Sequence, residues 1–251
     1  MTRSGAILDA AAFDRVTAAL LDADDDLARI VAEHGAPTFW SRPAGFRALV
    51  LLILEQQVSL ASAEAAYRRL RERVRTVTPE TVLACSPDEL RADGVSRQKD
   101  RYLRALADAV GSGALDLDAL ATHDDDTARA ELVALPGIGR WTADVYLLAC
   151  LGRPDLWPVG DRALQVAVAE ALGLPEVPDP VALEALGERW RPHRSSAARI
   201  LWHGYLARRN RVETPHDLLD DLSSDASPRG SLAAVPLPSP PSGASGGRRR
   251  R

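Results

Sequence analysis

The chain has 251 residues, a formal net charge of −4, two cysteines and a single lysine, Lys99. Two cysteines are too few for a disulfide framework, a four-cysteine zinc site or a four-cysteine iron–sulfur cluster, and no run of about 18 apolar residues predicts a membrane span. The N-terminus lacks the apolar stretch of a signal peptide, so the composition favours a cytoplasmic protein of one or two domains.

The pattern from residue 11 to residue 211 is helical, after a flexible leader expected over 1–10. Apolar residues recur at three- and four-residue spacing, as at Leu49, Leu52 and Ile53, which is typical of helices, and alternating strand-like runs are missing. The predicted helices cover residues 12–22, 25–33, 44–57, 60–75, 87–93, 97–111, 125–134, 140–151, 161–172, 180–189 and 194–209. The predicted fold class is therefore all-α.

Charge is distributed unevenly along these helices. Residues 189–211 carry seven arginines and no acidic residue, and residues 68–75 carry five arginines and one glutamate. Such segments could form a basic face that binds nucleic acid despite the negative total. The alternative is a helix surface on which opposite charges simply alternate.

The composition changes after about residue 222. Residues 223–251 are rich in Ser, Pro and Gly and end in four arginines. Such a segment cannot bury enough apolar surface to offset the cost of ordering, so we expect it to be disordered. The terminal arginines could touch nucleic acid non-specifically or act only as a solubilising end.

Residues 135–148 read LPGIGRWTADVYLL, a glycine-rich turn that opens a predicted helix. Gly137 and Gly139 permit backbone angles closed to other residues and leave room for close approach. Main-chain N–H groups at a helix N-terminus bind anions. The turn therefore indicates a phosphate site, or else only a tight connection between helices; no strand precedes it, which excludes a dinucleotide-binding fingerprint.

This stretch, followed by PVGD ending at Asp161, resembles the helix–hairpin–helix superfamily of base-excision DNA glycosylases. Residues 51–70 (LLILEQQVSLASAEAAYRRL) and 188–205 (ERWRPHRSSAARILWHGY) are similar to its AlkA-like branch, the 3-methyladenine DNA glycosylases II. Residues 94–107 (GVSRQKDRYLRALA) resemble the family's Gly-x-Ser-x-x-Lys segment. The resemblance implies a two-lobed helical bundle with an active cleft between a lobe of residues 45–150 and one of residues 11–44 and 151–211.

Asp161 matches the family's essential aspartate. Breaking an N-glycosidic bond leaves positive charge on the sugar, and a carboxylate in a water-poor pocket can stabilise that charge or orient the attacking water. Without the resemblance, the expected role of Asp161 would be a helix N-cap.

The resemblance implies that the hairpin holds the DNA backbone near the lesion. The residues expected to contact DNA there are Pro136, Gly137, Ile138, Gly139, Arg140 and Thr142. A monovalent cation at the hairpin is the one bound group implied. We expect no other cofactor and no metal catalysis, because the histidines show no ligand spacing.

Trp141 stands where strand-cleaving relatives carry a lysine that attacks the sugar. Lys99 lies in another motif, so we expect a monofunctional enzyme that uses water. An aromatic ring suits stacking on a flipped purine, above all a cationic alkylated one. The alternative is a core position for Trp141. Arg162 and Val145 depart from the aromatic residues usual in this branch, which leaves base preference open.

Further residues are expected near the flipped base. In relatives the glutamine pair, here Gln56 and Gln57, lies beside the gap that flipping leaves, although Gln57 could instead cap a helix. Trp40 could line the same pocket or serve in packing.

The loop from Gly94 to Arg97 matches the place where relatives insert a side chain into the duplex. We expect Ser96, Arg97 and Lys99 to contact DNA, and we leave the inserted residue open. In the 188–205 segment, arginines at 191 and 194 are expected to pair with the Asp161 region or with phosphates, and Trp202 is expected in the core.

The function predicted is that of a monofunctional DNA-3-methyladenine glycosylase that flips alkylated purines out of double-stranded DNA, acting as a monomer at the nucleoid. The alternatives are a glycosylase for deaminated or oxidised bases and a catalytically inactive hairpin protein that binds DNA.

Overall fold

The structure, a computed structural model, describes residues 7–211, and every regular element in that range is helical. The all-α prediction is confirmed there. No helix in the described range is both long and apolar enough to cross a membrane. The predicted tail 223–251 and residues 1–6 of the predicted leader lie outside the described residues.

Thirteen α-helices follow one another along residues 7–211. Their bounds are α1 Ala10–Ala23, α2 Asp25–His34, α3 Phe46–Glu55, α4 Leu60–Val74, α5 Pro79–Ala84, α6 Pro87–Ala92, α7 Arg97–Gly111, α8 Leu117–Leu120, α9 Asp125–Val133, α10 Arg140–Ala149, α11 Arg162–Leu172, α12 Pro180–Gly187 and α13 Arg194–Ala207. A short 3₁₀ helix, Glu188–Trp190, joins α12 to α13.

Two short helices, α5 and α8, were not predicted. Each is only one or two turns long, so an apolar repeat has no room to show. Their signal is local: a Thr78–Thr81 capping box and Pro79 open α5, and Asp116 caps α8. The helix predicted over 44–57 is also shorter than expected, since α3 ends at Glu55.

Side-chain caps begin most of these helices. Ser, Thr or Asp caps ten of the thirteen, and six of those caps are aspartates. Helix α10 is one of the exceptions, because its N-cap is Gly139 and no side chain bonds its first amides. The hairpin thus leaves a helix N-terminus without an internal acceptor.

The helices pack in two groups around one continuous core. One group contains α3, α4, α5, α6, α7, α9 and α10, and the other contains α1, α2, α11, α12, α13 and the 3₁₀ helix. This division follows the boundaries predicted for the two lobes. The cleft between them stays a prediction.

Helix α10 runs through the interior. Every residue from Thr142 to Ala149 is buried, so only Arg140 and Trp141, at its N-terminal turn, reach solvent. The hairpin therefore presents the accessible end of an otherwise enclosed helix.

The predicted basic face of residues 189–211 is largely neutralised, which corrects that expectation. Arg189 pairs with Asp24 at 2.8 Å, and Arg209 pairs with Glu170 at 2.7 Å. These acids are distant in sequence, which is why the run of arginines alone was misleading.

The described end of the predicted leader packs onto the helices. Leu8 is buried, and its N–H donates to the Gly152 carbonyl at 2.7 Å. Residues 7–9 therefore pack against the loop that follows α10.

Candidate active site and hairpin

Asp161 lies at the start of α11 with its carboxylate enclosed. Oδ1 accepts the Leu164 N–H at 2.7 Å and the Trp202 indole N–H at 3.2 Å, and Oδ2 accepts the Trp141 indole N–H at 2.8 Å. Only 1% of the residue is exposed. Asp161 is therefore the N-cap of α11, and the same carboxylate also lies beneath two indoles.

Burial dominates the electrostatics of this carboxylate. It raises the pKa of Asp161 to about 6, and the hydrogen bonds from Leu164, Trp141 and Trp202 oppose that rise. The group is ionised at neutral pH, but in surroundings that penalise its charge. A nearby cation would be strongly favoured there.

Trp141 contacts the carboxylate from the first turn of α10. Its ring is partly buried against the core, and its N–H reaches Asp161 across twenty residues of sequence. The Trp141 side chain is therefore partly exposed to solvent, and its N–H edge is held by the Asp161 carboxylate.

Trp202 was expected to be a core residue, and it is also a site residue. It is 1% exposed, and its indole N–H donates to Asp161 from α13. Sequence reasoning had one usable signal: a buried indole N–H needs a partner.

Trp40 is buried behind Trp202. The two ring centroids are 5.9 Å apart, and Trp40 is 2% exposed. No hydrogen bond joins Trp40 to Asp161 in the structure, so it supports Trp202 from behind. Its contact with a flipped base stays a prediction.

The hairpin turn is held from two sides at Gly137. Its φ of +87° is in the left-handed region, and a Cβ there would lie 2.1 Å from Cγ of Tyr102. Its carbonyl accepts the side-chain amide of Gln56 at 2.8 Å. By contrast, a Cβ on Gly139 would meet nothing within 4 Å, so the outer side of the turn is open to an approaching backbone.

The predicted hairpin residues fall into two sets. Ile138 is buried at 3% exposed, so only its main chain can meet a ligand, and the hydroxyl of Thr142 lies 3.2 Å from the Gln56 amide, facing inward. Pro136 and Arg140, which flank the glycines, are both exposed.

Arg140 is already paired. Its guanidinium lies 2.7 Å from Glu184 of α12 and 3.5 Å from Asp144. Asp144 is buried and also pairs with Arg129 of α9. The two helices that flank the hairpin are therefore joined by an ion pair.

The two glutamines after α3 have different surroundings. Gln56 is half-buried and bonds the hairpin, whereas Gln57 is exposed with a φ of +57°. Val58 follows with 36% of its surface exposed. The turn between α3 and α4 thus projects Gln57 outward from a strained backbone position.

The predicted DNA-contacting residues of the 94–97 loop differ in orientation. Ser96 caps α7 by accepting the Lys99 N–H at 3.3 Å. The Lys99 ammonium donates to the Leu54 carbonyl at 2.6 Å, and burial lowers its pKa while Glu55 raises it. Lys99 therefore bonds the C-terminal turn of α3, while Arg97 is exposed.

Arg191 and Arg194 do not pair with Asp161 itself, and their contact with phosphates stays a prediction. Both pair with Asp155, at 2.9 Å each, and Arg194 also lies 3.3 Å from Glu184. The two arginines therefore neutralise Asp155, which lies between α10 and α11, and Glu184 of α12.

Acidic residues are sparse in the segments that form the site. Three segments meet at the site, residues 56–63, 135–143 and 157–168. Gln56 joins the first to the second through the Gly137 carbonyl, and Trp141 joins the second to the third through Asp161. Asp161 is the only acidic residue of the three segments, and it is buried. Outside these segments, Glu184 of α12 borders the hairpin, and its charge is paired with Arg140 at 2.7 Å.

No cluster of metal-ligating side chains occurs among residues 7–211. The turn 135–139 offers only main-chain oxygens, which suits a weakly bound monovalent ion better than a transition metal. One of those oxygens, the Gly137 carbonyl, already accepts from Gln56.

Comparison with known proteins places this geometry in context. Residues 50–192 match the family described as HhH-GPD superfamily base excision DNA repair protein. A Mycobacterium tuberculosis protein named probable bifunctional transcriptional activator/DNA repair enzyme AlkA is 34% identical over 209 residues, which are 78% of this chain and 40% of the relative. The chain thus spans less than half the length of that relative.

Solved structures share the fold. A DNA-3-methyladenine glycosidase from Bacillus halodurans is 31% identical, covers 78% of this chain and 91% of its own, and superposes with a TM-score of 0.69. The Schizosaccharomyces pombe 3-methyladenine DNA glycosylase, solved with abasic DNA, reaches the same TM-score at 24% identity, covering 75% of this chain and 95% of its own.

Proposed function

Because the chain belongs to the HhH-GPD superfamily of base excision DNA repair proteins, we propose that it is a monofunctional DNA glycosylase that releases alkylated purines, 3-methyladenine above all, from double-stranded DNA. The observation that carries this proposal is the Asp161 carboxylate, buried beneath two indole N–H groups beside an open glycine turn. The DNA-3-methyladenine glycosidase named above, at 31% identity, supports the same substrate class.

In the proposed reaction, the hairpin and the segments around it bind the DNA backbone, and the damaged nucleotide turns out of the duplex. Trp141 lies at the accessible edge of the site, so its ring can stack on the flipped base. A cationic alkylated purine gains from such a π face. Gln57, projecting from the α3–α4 turn, is placed to contact the space the base leaves.

Bond cleavage then follows a dissociative course. The bond between C1′ and the base nitrogen breaks, and its electron pair leaves with the base, which neutralises an alkylated purine. The sugar acquires cationic character, and the Asp161 carboxylate stabilises it. Water adds to C1′ and loses a proton, giving a free base and an abasic site.

Strand cleavage through an amine is not part of this proposal. Lys99 is the only lysine in the chain, and its ammonium bonds the Leu54 carbonyl rather than Asp161. A monovalent cation at the hairpin, a monomeric state and a location at the nucleoid complete the proposal.

The decisive experiment incubates the protein with methylated DNA and identifies released bases by chromatography. Asp161→Asn should reduce release of 3-methyladenine by at least about a hundredfold, since it removes the charge that stabilises the transition state, while binding to abasic DNA persists. Arg15→Gln, on the exposed side of α1, serves as the control with full activity.

Two outcomes would contradict the proposal. Full activity of Asp161→Asn would remove the carboxylate from the mechanism. Release of only deaminated or oxidised bases by the unaltered protein would replace the substrate class.

A further inference from the structure

Arg162, the residue after Asp161, is an exposed cation without a carboxylate partner in the described part of the chain. Its guanidinium contacts a neutral group, the Gln165 amide oxygen, at 3.2 Å. By contrast, Arg140 of the hairpin and Arg194 of α13 each pair with acids. Arg162 therefore keeps a free positive charge.

A buried side chain orients this cation. Gln165 is 8% exposed, and its Nε2 donates to the Val159 carbonyl at 3.2 Å, which leaves its Oε1 to accept from Arg162. A reversed amide would place two donors together, so the contact fixes the Gln165 orientation. The group that orients the guanidinium is thus buried, and it is hydrogen-bonded through both its amide nitrogen and its amide oxygen.

Arg162 is also the only exposed charge of its segment. Between residues 157 and 168 the ionisable residues are Asp161 and Arg162, and Asp161 is buried. Adjacent Cα atoms lie about 3.8 Å apart, so the backbone of Arg162 lies beside that of Asp161, the residue that the sugar of the flipped nucleotide is proposed to face. Asp161 is the acidic residue of the three site segments, and its oxygens accept from Leu164, Trp202 and Trp141 rather than from Arg162.

We propose that Arg162 binds a DNA phosphate flanking the flipped nucleotide, with Gln165 as its positioning residue. The proposal rests on the proposed function for the placement of the nucleotide. A phosphate is the partner favoured over the base itself, because a guanidinium aimed at a cationic purine would repel it, whereas guanidinium and phosphate match in charge and geometry.

The test measures affinity for a duplex with a stable abasic-site analogue, by fluorescence anisotropy at several salt concentrations. Arg162→Gln should weaken binding about tenfold and reduce the slope of log affinity against log salt by about 0.9, the loss of one phosphate contact. Arg162→Lys should retain the slope, and Arg15→Gln should match the unaltered protein.

A second readout separates this role from catalysis. At saturating protein, Arg162→Gln should lower the single-turnover rate constant for base release by a much smaller factor than it lowers the affinity, because a phosphate contact acts mainly on binding. Unchanged affinity and slope would overturn the proposal, and so would a reduced rate constant with unchanged affinity.

The two proposals fail separately. If the protein binds the duplex and Arg162→Gln weakens it as stated, the phosphate contact stands even where no alkylated base is released. If bases are released but the variant binds normally, the contact alone is wrong. A protein that does not bind the duplex would overturn both.

Discussion

The carboxylate of Asp161 caps helix α11. The same carboxylate is proposed to stabilise the positive charge that develops on the sugar. The capping bond to Leu164 holds one oxygen, and the indole of Trp141 holds the other. The two interpretations of Asp161 that the sequence left open are thus compatible: the cap fixes the side chain's position, and the catalytic role proposed for it depends on that position.

The raised pKa of Asp161 predicts a cost in stability. In the unfolded chain an aspartate titrates near about 3.9, whereas burial raises the folded pKa to about 6. Between these values the unfolded state releases its proton first, so ionisation favours unfolding as pH rises. From pH 4 to 7 the unaltered protein should lose roughly 2 kcal/mol relative to Asp161→Asn.

Urea unfolding of both proteins at pH 4.5, 5.5 and 7 measures this difference. The free-energy gap between Asp161→Asn and the unaltered protein should move in favour of the variant as pH rises. Parallel pH profiles would show that Asp161 titrates alike in both states.

Single residues also show where sequence reasoning stops. Trp141 and Asp161 could be paired in advance only through a family resemblance, since twenty residues separate them. Trp202 was expected in the core, and it is there, but its N–H reaches the site because α13 packs on α11. No local sequence pattern indicates which carboxylate, if any, accepts the N–H of a buried indole.

At the scale of elements, the hairpin is positioned by helices distant in the chain. Gln56, after α3, bonds its carbonyl, and Tyr102, on α7, packs against its glycine. Lys99, one turn before Tyr102, bonds the Leu54 carbonyl of α3. The glycine turn thus rests on a support built from two other helices.

Gly137→Ala should damage this support. The substitution combines a left-handed backbone angle with a Cβ that overlaps Tyr102, so we expect a loss of about 2 kcal/mol or more in stability and weaker binding to abasic DNA. Unfolding and anisotropy measurements together check this.

Gly113→Ala is the matched control. It has a similar φ of +75°, but a Cβ there meets nothing within 4 Å. It should show the backbone cost without the change in DNA affinity. Equal DNA affinity in both variants would contradict a role for the hairpin in binding.

For the molecule as a whole, charge is organised by pairing rather than by segment. Apart from Arg199, which is buried and donates to main-chain carbonyls, the arginines from 189 to 209 pair with acids that include those at 24, 155 and 170, while other aspartates cap helices. Periodicity sufficed for the long helices, because each long helix carries its own apolar face, whereas the grouping of the helices was expected from the family resemblance. Ion pairs between distant segments leave no such mark in the sequence.

Asp24, between α1 and α2, joins these helices to the 3₁₀ helix that precedes α13. It caps α2 through the Leu27 N–H and accepts the indole N–H of Trp190 at 2.9 Å and Arg189 at 2.8 Å. Asp24→Ala removes the cap and leaves a buried indole N–H without a partner, so we expect a loss of about 2–4 kcal/mol in urea unfolding.

Asp9→Ala is the comparison for this prediction. Asp9 is exposed, and it caps α1 through one bond to the Ala12 N–H at 2.7 Å. Its removal should cost about 1 kcal/mol. Equal losses in the two variants would mean that the bonds from Trp190 and Arg189 contribute nothing.

The contact of two indoles with one carboxylate gives the protein a built-in optical signal. Two of its five tryptophans donate a hydrogen bond to the Asp161 carboxylate. We expect their fluorescence emission to change when that carboxylate is protonated. Arrival of a nucleobase against Trp141 would alter the same emission through ring stacking. The intrinsic fluorescence of the unlabelled protein should therefore follow both the protonation of Asp161 and the proposed binding of a base against Trp141.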